Sequence, residues 1–273
     1  MMIDFTKALP NHSEKYVGEN DLFLEIYEDE ADSLTTKRPP LLFVHGAYTG
    51  SWMWSKYIPH FVREGWKCYA MNMRSHYKSR VLDMTKVTYK DYMDDIKEIT
   101  TQCAEPPIII GFSMGGILCQ KLAETVTFAG LVLIDTSISK EVYEIAPYTE
   151  SFSSISEIVE PAPAREEYFS IDESADDIAF QKKYLTMESS KARNAIFPFT
   201  ANGGISINGG LISCPSLVIK AVNSDADDKR GRATAEQIKA EYIGLCNKTH
   251  TGLLIGQRYM ETVDRIIEWL KRF

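Results

Sequence analysis

Ile108-Ile109-Ile110-Gly111-Phe112-Ser113-Met114-Gly115-Gly116 runs directly into Ile117-Leu118-Cys119-Gln120-Lys121-Leu122-Ala123. An apolar β-branched run stops at Gly111, and an apolar, helix-compatible run starts after Gly116. A strand that turns straight into a helix leaves no room for side chains two residues either side of its apex. Both flanking positions must therefore be glycine. The serine at the apex is forced into a strained, exposed conformation. It stands at the carboxyl end of a strand and the N-terminus of a helix, where free N–H groups favour developing negative charge. A Gly-x-Ser-x-Gly pentapeptide in an ordinary turn says little. Between a strand and a helix it marks Ser113 as a nucleophile.

The flanking sequence repeats the alternation. Residues 1–20 are polar and weakly patterned, a strand or a loose arm. Leu22–Tyr27 reads as a strand, Asp29–Ser33 as a turn, and Leu41–Val44 as a fully buried strand. A helix capped at Gly50 or Ser51 carries Trp52, Trp54, Tyr57, Ile58, Phe61 and Val62 and closes at Gly65. Then come a strand over 67–73, a polar loop over 74–79 and a helix from Thr88 to about Cys103. Past the serine segment, Gly130–Asp135 is another buried strand. After residue 205 we expect a strand over Ser216–Ile219, a helix near Thr234–Tyr242, a strand over Ile243–Asn247, a loop with His250 and a helix over Met260–Leu270. Continuous apolar strands alternating with helices predict an α/β fold: a mostly parallel central sheet with helices on both faces.

Residues 139–205 break the alternation, with Pro161, Pro163, many aromatics and an Asn-Gly-Gly turn at Asn202, matched by another at Asn208. They read as an inserted helical lid on a core formed by 1–138 and 206–273. From Ser139 to Phe180 eleven acidic residues stand against two basic ones, which predicts an acidic rim or exterior on the lid.

The composition is that of an ordinary globular domain, with 273 residues and a net charge of −8. The acidic balance argues against nucleic acid as a partner. The N-terminus shows no secretory pattern, and no stretch approaches the roughly 20 apolar residues of a membrane span. Five scattered cysteines read as reduced thiols, so a cytoplasmic location is expected.

A serine hydroxyl needs a base within hydrogen-bond reach. Of the five histidines, His250 follows the last predicted strand and so lies at the sheet edge that carries Ser113. His76 is a second candidate; His12 and His60 have no supporting context, and His45 reads as structural. The base needs an orienting acid. Asp225 is the first carboxylate past the strand Leu217–Ala221, with Asp227 and Asp228 close behind and Asp135 as the outsider after the preceding strand. Asp225 is the expected acid, in the chain order Ser…Asp…His. The backbone N–H groups of Ala47 and Met114 are the expected oxyanion donors. Tyr48 and Trp52 are expected to line the substrate pocket.

On these residues the chain resembles the α/β-hydrolase superfamily, and within it the small serine esterase-like members with a helical lid. His45-Gly46-Ala47-Tyr48-Thr49-Gly50-Ser51-Trp52 is similar to their His-Gly-x-x-x-Gly-x-Trp loop, and Gly111–Gly116 to their Gly-x-Ser-Met-Gly-Gly elbow. Met73–Ser79 resembles their Arg-Gly-His-Gly-x-Ser loop, with Ser75 and Tyr77 where glycines usually sit. The resemblance implies a carboxylic-ester hydrolase acting through an acyl-enzyme on a small-molecule ester, with no metal or organic cofactor. The same framework also carries hydroxynitrile-lyase-like chemistry and non-catalytic ligand receptors.

Overall fold

The computed structural model describes residues 3–28, 38–148, 159–164, 170–200 and 203–273. The turn expected at Asp29–Ser33, the turn residue Asn202 and the acidic residues Glu150, Glu157, Glu166 and Glu167 lie outside them. No helix among the described residues is long and apolar enough to cross a membrane.

Strands β1 (His12–Val17) and β2 (Leu22–Tyr27) form an antiparallel hairpin, so the N-terminal arm is sheet from His12, after a 3-10 turn at Phe5–Ala8. Next come β3 (Leu41–Val44), helix α1 (Ile58–Arg63), β4 (Cys68–Met71), α2 (Tyr89–Thr100), β5 (Ile108–Phe112), α3 (Met114–Ala123) and β6 (Gly130–Ile134). The segment after β6 holds α4 (Lys140–Ile145), β7 (Val159–Glu160), α5 (Ala175–Tyr184), β8 (Glu188–Ser189) and α6 (Ser190–Ile196). The chain then resumes with β9 (Ser216–Val222), α7 (Asp225–Gln237), β10 (Glu241–Cys246), α8 (Gly252–Ile255) and α9 (Met260–Leu270).

One eight-stranded sheet runs β1-β2-β4-β3-β5-β6-β9-β10, parallel from β4 to β10, while β7 and β8 pair separately. Alternate residues of the central strands feed two cores. Leu42, Val44 and Ile109 pack on one face with α2 and α3; Leu41, Phe43, Ile108 and Ile110 pack on the other with α1 and α9. Both faces are covered, which is why these strands are apolar at every position.

Two helices depart from the expected spans. The first is split into a 3-10 turn, Ser51–Trp54, and α1. Pro59 has no N–H to continue a helix from Ser55, so the helix restarts around it. The second, α7, starts at Asp225 instead of near Thr234. The Ser224 side chain accepts the Asp227 amide and caps it.

The turn from β5 to α3 has the close packing its glycines require. A Cβ on Gly111 would meet Gly116 Cα at 2.8 Å, and one on Gly115 would meet His45 O at 2.3 Å and Val44 O at 2.8 Å. These neighbours are backbone atoms of α3, of β3 and of the residue that follows β3, and they cannot swing away. Gly115→Ala is expected to destabilise the fold by about 3 kcal/mol, the upper end for overpacking. Urea denaturation checks this, and a cost below about 0.5 kcal/mol would contradict it.

Candidate active site

Ser113 sits at φ 53°, ψ −121°, outside the regions ordinary residues occupy. Its backbone is pinned to the neighbouring strand: Ser113 N donates to Ile134 O at 3.1 Å, and Ser137 N donates to Ser113 O at 3.0 Å. Its side chain makes no capping bond to α3.

Ser113 is one of several such residues. Tyr48, Ser75, Tyr77, Asp135 and Asn247 also have positive φ, and they follow the carboxyl ends of β3, β4, β6 and β10. Each left-handed non-glycine residue costs about 1 kcal/mol or more. Ser75 (φ 65°) and Tyr77 (φ 49°) therefore keep a glycine conformation without being glycine.

His250 shares a cavity of about 250 Å³ with Ser113, Phe112, Ala47, Tyr48, Thr49 and Thr251. Its ring stacks on Phe112, with centroids 4.5 Å apart. Its Nδ1 lies 2.5 Å from Asp135 Oδ2. The carboxylate can only accept, so the proton sits on Nδ1 and Nε2 is the free nitrogen.

The acid expected beside His250 was Asp225, and there the structure differs. Asp225 is exposed in the first turn of α7. Asp227 is taken up by Ser224 and Arg230, and Asp228 by Arg232 and Tyr242. Once Ser224 starts a helix, all three carboxylates belong to that helix. Asp135 is the outsider because it follows β6 and not β9, the strand next before β10 and the histidine loop; the order Ser…Asp…His holds for either acid. The overlooked signal is Lys220, a cation inside an otherwise apolar strand. Ile134 pairs with Ile219, so Lys220 lies beside Asp135, and its Nζ donates to Asp135 Oδ1. Burial by itself raises the Asp135 carboxyl. The Lys220 ammonium and then His250 outweigh it and hold the group well below the usual carboxylate range.

Ala47 and Tyr48 line the cavity, whereas Trp52 does not. Trp52 is buried between Phe180 and Tyr184, an anchor for α5. Among the described residues no hydrogen bond takes up the amide of Ala47 or of Met114. His76 is fully buried against Glu188 and is no part of the cavity lining. His45 is structural: its Nδ1 donates to Gly46 O at 2.8 Å and its Nε2 accepts the Met73 amide at 3.1 Å. Burial, and then the neighbouring His76, push it down to about 3, so it stays neutral.

The expected acidic rim is corrected in part, because Asp172, Glu173 and Asp177 are buried. Asp172 Oδ1 accepts the Thr249 amide at 3.0 Å and the Thr249 hydroxyl at 2.7 Å. Glu173 Oε1 accepts the Thr251 hydroxyl at 2.7 Å. The two carboxylates grip the residues either side of His250. Nothing local in the sequence announces this role.

Among the described residues, His12, Glu14 and Glu25 could together hold a metal ion. They lie on the β1–β2 hairpin and include no cavity residue, and Lys78 already bonds Glu14 at 2.8 Å.

Residues 39–160 match the family model of the alpha/beta hydrolase fold. The chain has the α/β-hydrolase fold. An alpha/beta hydrolase from Novosphingobium aromaticivorans is similar over 97% of this chain and 100% of that one, with a TM-score of 0.70 and 17% identity. A thermophilic esterase from Thermogutta terrifontis is similar over 96% and 99%, at 0.65 and 16%. The carboxylesterase CesB from Bacillus subtilis covers 96% of this chain and 92% of its own, at 0.66 and 15%. No curated protein sequence matches the chain. In this α/β-hydrolase fold Ser113 and His250 meet at the carboxyl edge of the sheet, where the strand order reverses around β5 and β3.

A carboxyl with a depressed folded pKa contributes stability above its unfolded value, near 3.9, and that contribution is lost as pH falls. Lys220→Met removes the strongest influence lowering Asp135. Its pKa then rises toward the unfolded value, and folded and unfolded states differ less in bound protons. Stability from urea denaturation should therefore fall less steeply below about pH 4 than in the wild type. An unchanged slope would show that Lys220 does not hold Asp135 ionised.

Proposed function

We propose that the chain is a serine hydrolase of carboxylic esters. The observation that carries this reading is the hydrogen bond from His250 Nδ1 to buried Asp135, made at a cavity that Ser113 also lines. Ser113 Oγ attacks the ester carbonyl while His250 Nε2 accepts its proton. Asp135 holds the imidazole in that tautomer and stabilises the imidazolium. The amides of Ala47 and Met114 receive the oxyanion. The alcohol leaves with the proton from His250. Water, deprotonated by the same nitrogen, then releases the acid and regenerates Ser113. The reading calls for no metal and no organic cofactor.

Residues 139–205 act in this reading as the lid. Pro163, Gln181, Leu185, Arg193 and Phe197 from that segment complete the cavity wall. Its modest volume and apolar lining favour a small ester with a short acyl group. The esterase and carboxylesterase names of similarly folded proteins support the class of reaction. Five free cysteines support a reducing, cytoplasmic setting.

The test is a set of variants assayed on one short-chain aryl ester, with folding checked by circular dichroism. Ser113→Ala should abolish turnover and labelling by a fluorophosphonate. Asp135→Asn should lose on the order of 10⁴ in turnover, the cost of an unsupported base in serine proteases. Asp225→Asn should stay within about two-fold of the wild type, as befits an exposed residue. Full activity in folded Ser113→Ala would refute the reading. A dead Asp225→Asn beside an active Asp135→Asn would refute its choice of acid.

A further inference from the structure

Glu188 is a carboxylate with no exposed surface, on β8 in the segment between β6 and β9. Four donors converge on it. Tyr92 Oη from α2 donates to Oε1 at 2.5 Å, and the Ser189 amide to the same oxygen at 2.8 Å. His76 Nε2 lies 3.1 Å from Oε2, and the Tyr48 amide donates to Oε2 at 3.2 Å. His76 Nδ1 in turn donates to Arg74 O at 2.9 Å. Both ring nitrogens face acceptors, so His76 is an imidazolium and the pair is a buried ion pair. Burial by itself lowers His76, but the Glu188 carboxylate reverses this and raises it.

Breaking such a pair is costly, and the ester chemistry above makes no use of it. Its geometry shows where that rigidity is directed. Tyr48 has φ 64°, a conformation that does not persist in tyrosine unless its surroundings impose it. Two bonds impose it here: the Tyr48 amide goes to Glu188, and the Tyr48 carbonyl accepts from Thr186 N at 2.9 Å. Both arms come from residues 186–188. Tyr48 directly follows Ala47, so the peptide plane that carries the Tyr48 amide also carries the Ala47 carbonyl. Fixing that plane restricts Ala47, whose own N–H is free in the cavity wall.

We infer that Glu188 is a positioning residue for oxyanion binding, clamping Tyr48 so that the Ala47 N–H is held at the angle the oxyanion needs. This rests on the ester-hydrolase reading. It adds that the 186–188 stretch, far along the chain from the elbow, is part of the machinery that sets kcat. A displaced donor harms the transition state more than the bound substrate, since the full charge exists only in the former.

The test compares three variants of the full chain. Glu188→Ala should lower kcat roughly 10- to 100-fold with KM within about three-fold, because a donor is displaced and not deleted. Thr186→Pro removes the other arm alone; Leu185, at ψ 137°, already suits a following proline. It should lower kcat several-fold, again at near-constant KM. Tyr92→Phe deletes a donor to Oε1 and leaves both arms in place, so it should lower Tm while kcat stays within about two-fold. Amide hydrogen exchange gives a readout free of activity: the 45–51 peptide should exchange faster in the first two variants, with Ile108–Phe112 unchanged. Wild-type kcat in Glu188→Ala and Thr186→Pro would overturn the inference. So would exchange that rises equally in 45–51 and β5, since that marks general loosening. Absence of ester turnover in the wild type would defeat the proposed reaction, and the exchange data would still decide whether the clamp exists.

Discussion

A carboxylate buried under a sheet edge stays ionised only if cations and donors meet it. Asp135 satisfies this with Lys220 on one oxygen and His250 on the other. The pairing ties β6, β9 and the loop after β10 together at one point. It also decides which nitrogen of His250 is free. The rest of the site follows from that constraint, because His250 itself is exposed and has little packing of its own beyond Phe112.

The same device recurs around the sheet edge. Asp95 is buried and binds the Arg74 guanidinium and the Arg74 amide, fixing the loop after β4. Glu188 holds His76 and Tyr48, fixing the loops after β4 and β3. Asp172 and Glu173 hold Thr249 and Thr251, fixing the loop after β10. Loops with positive φ at non-glycine residues need such restraint, since each is uphill by about 1 kcal/mol or more by itself. Buried charge and backbone strain lie side by side because one holds the other in place.

The segment between β6 and β9 contributes in two ways. Its apolar side chains, Leu185 and Phe197 among them, close the cavity, and its carboxylates reach down to the sheet edge. A stretch that departs from the βα alternation of the chain is thus bound to the core by polar contacts. The aromatic packing of Trp52 on Phe180 and Tyr184 adds an apolar anchor beside them.

The amino-acid sequence alone determined the sheet and the elbow, and it pointed to Ser113, His250, Ala47 and Tyr48, which line one cavity. Runs such as Ile108–Ile110 and Leu131–Ile134 are apolar at every position, which only a strand buried on both faces tolerates, and the glycines at 111 and 115 leave a single way to turn. Ser113 and His250 were legible because each sits at a fixed place relative to such a strand. The acid was not. Asp135 and Asp225 both follow a parallel strand, so that position alone does not separate them. What separates them is that Ser224 caps a helix, which takes Asp225 to the surface, and that Lys220 lies beside Asp135 across a strand pairing. Glu188, Asp172 and Glu173 were hidden for the same reason: a buried carboxylate is recognisable only by its partners, and of these Tyr48, His76, Tyr92, Thr249 and Thr251 lie roughly 70 to 140 residues away in the chain. Periodicity is written into neighbouring residues, whereas the balance of buried charge exists only once distant strands are side by side.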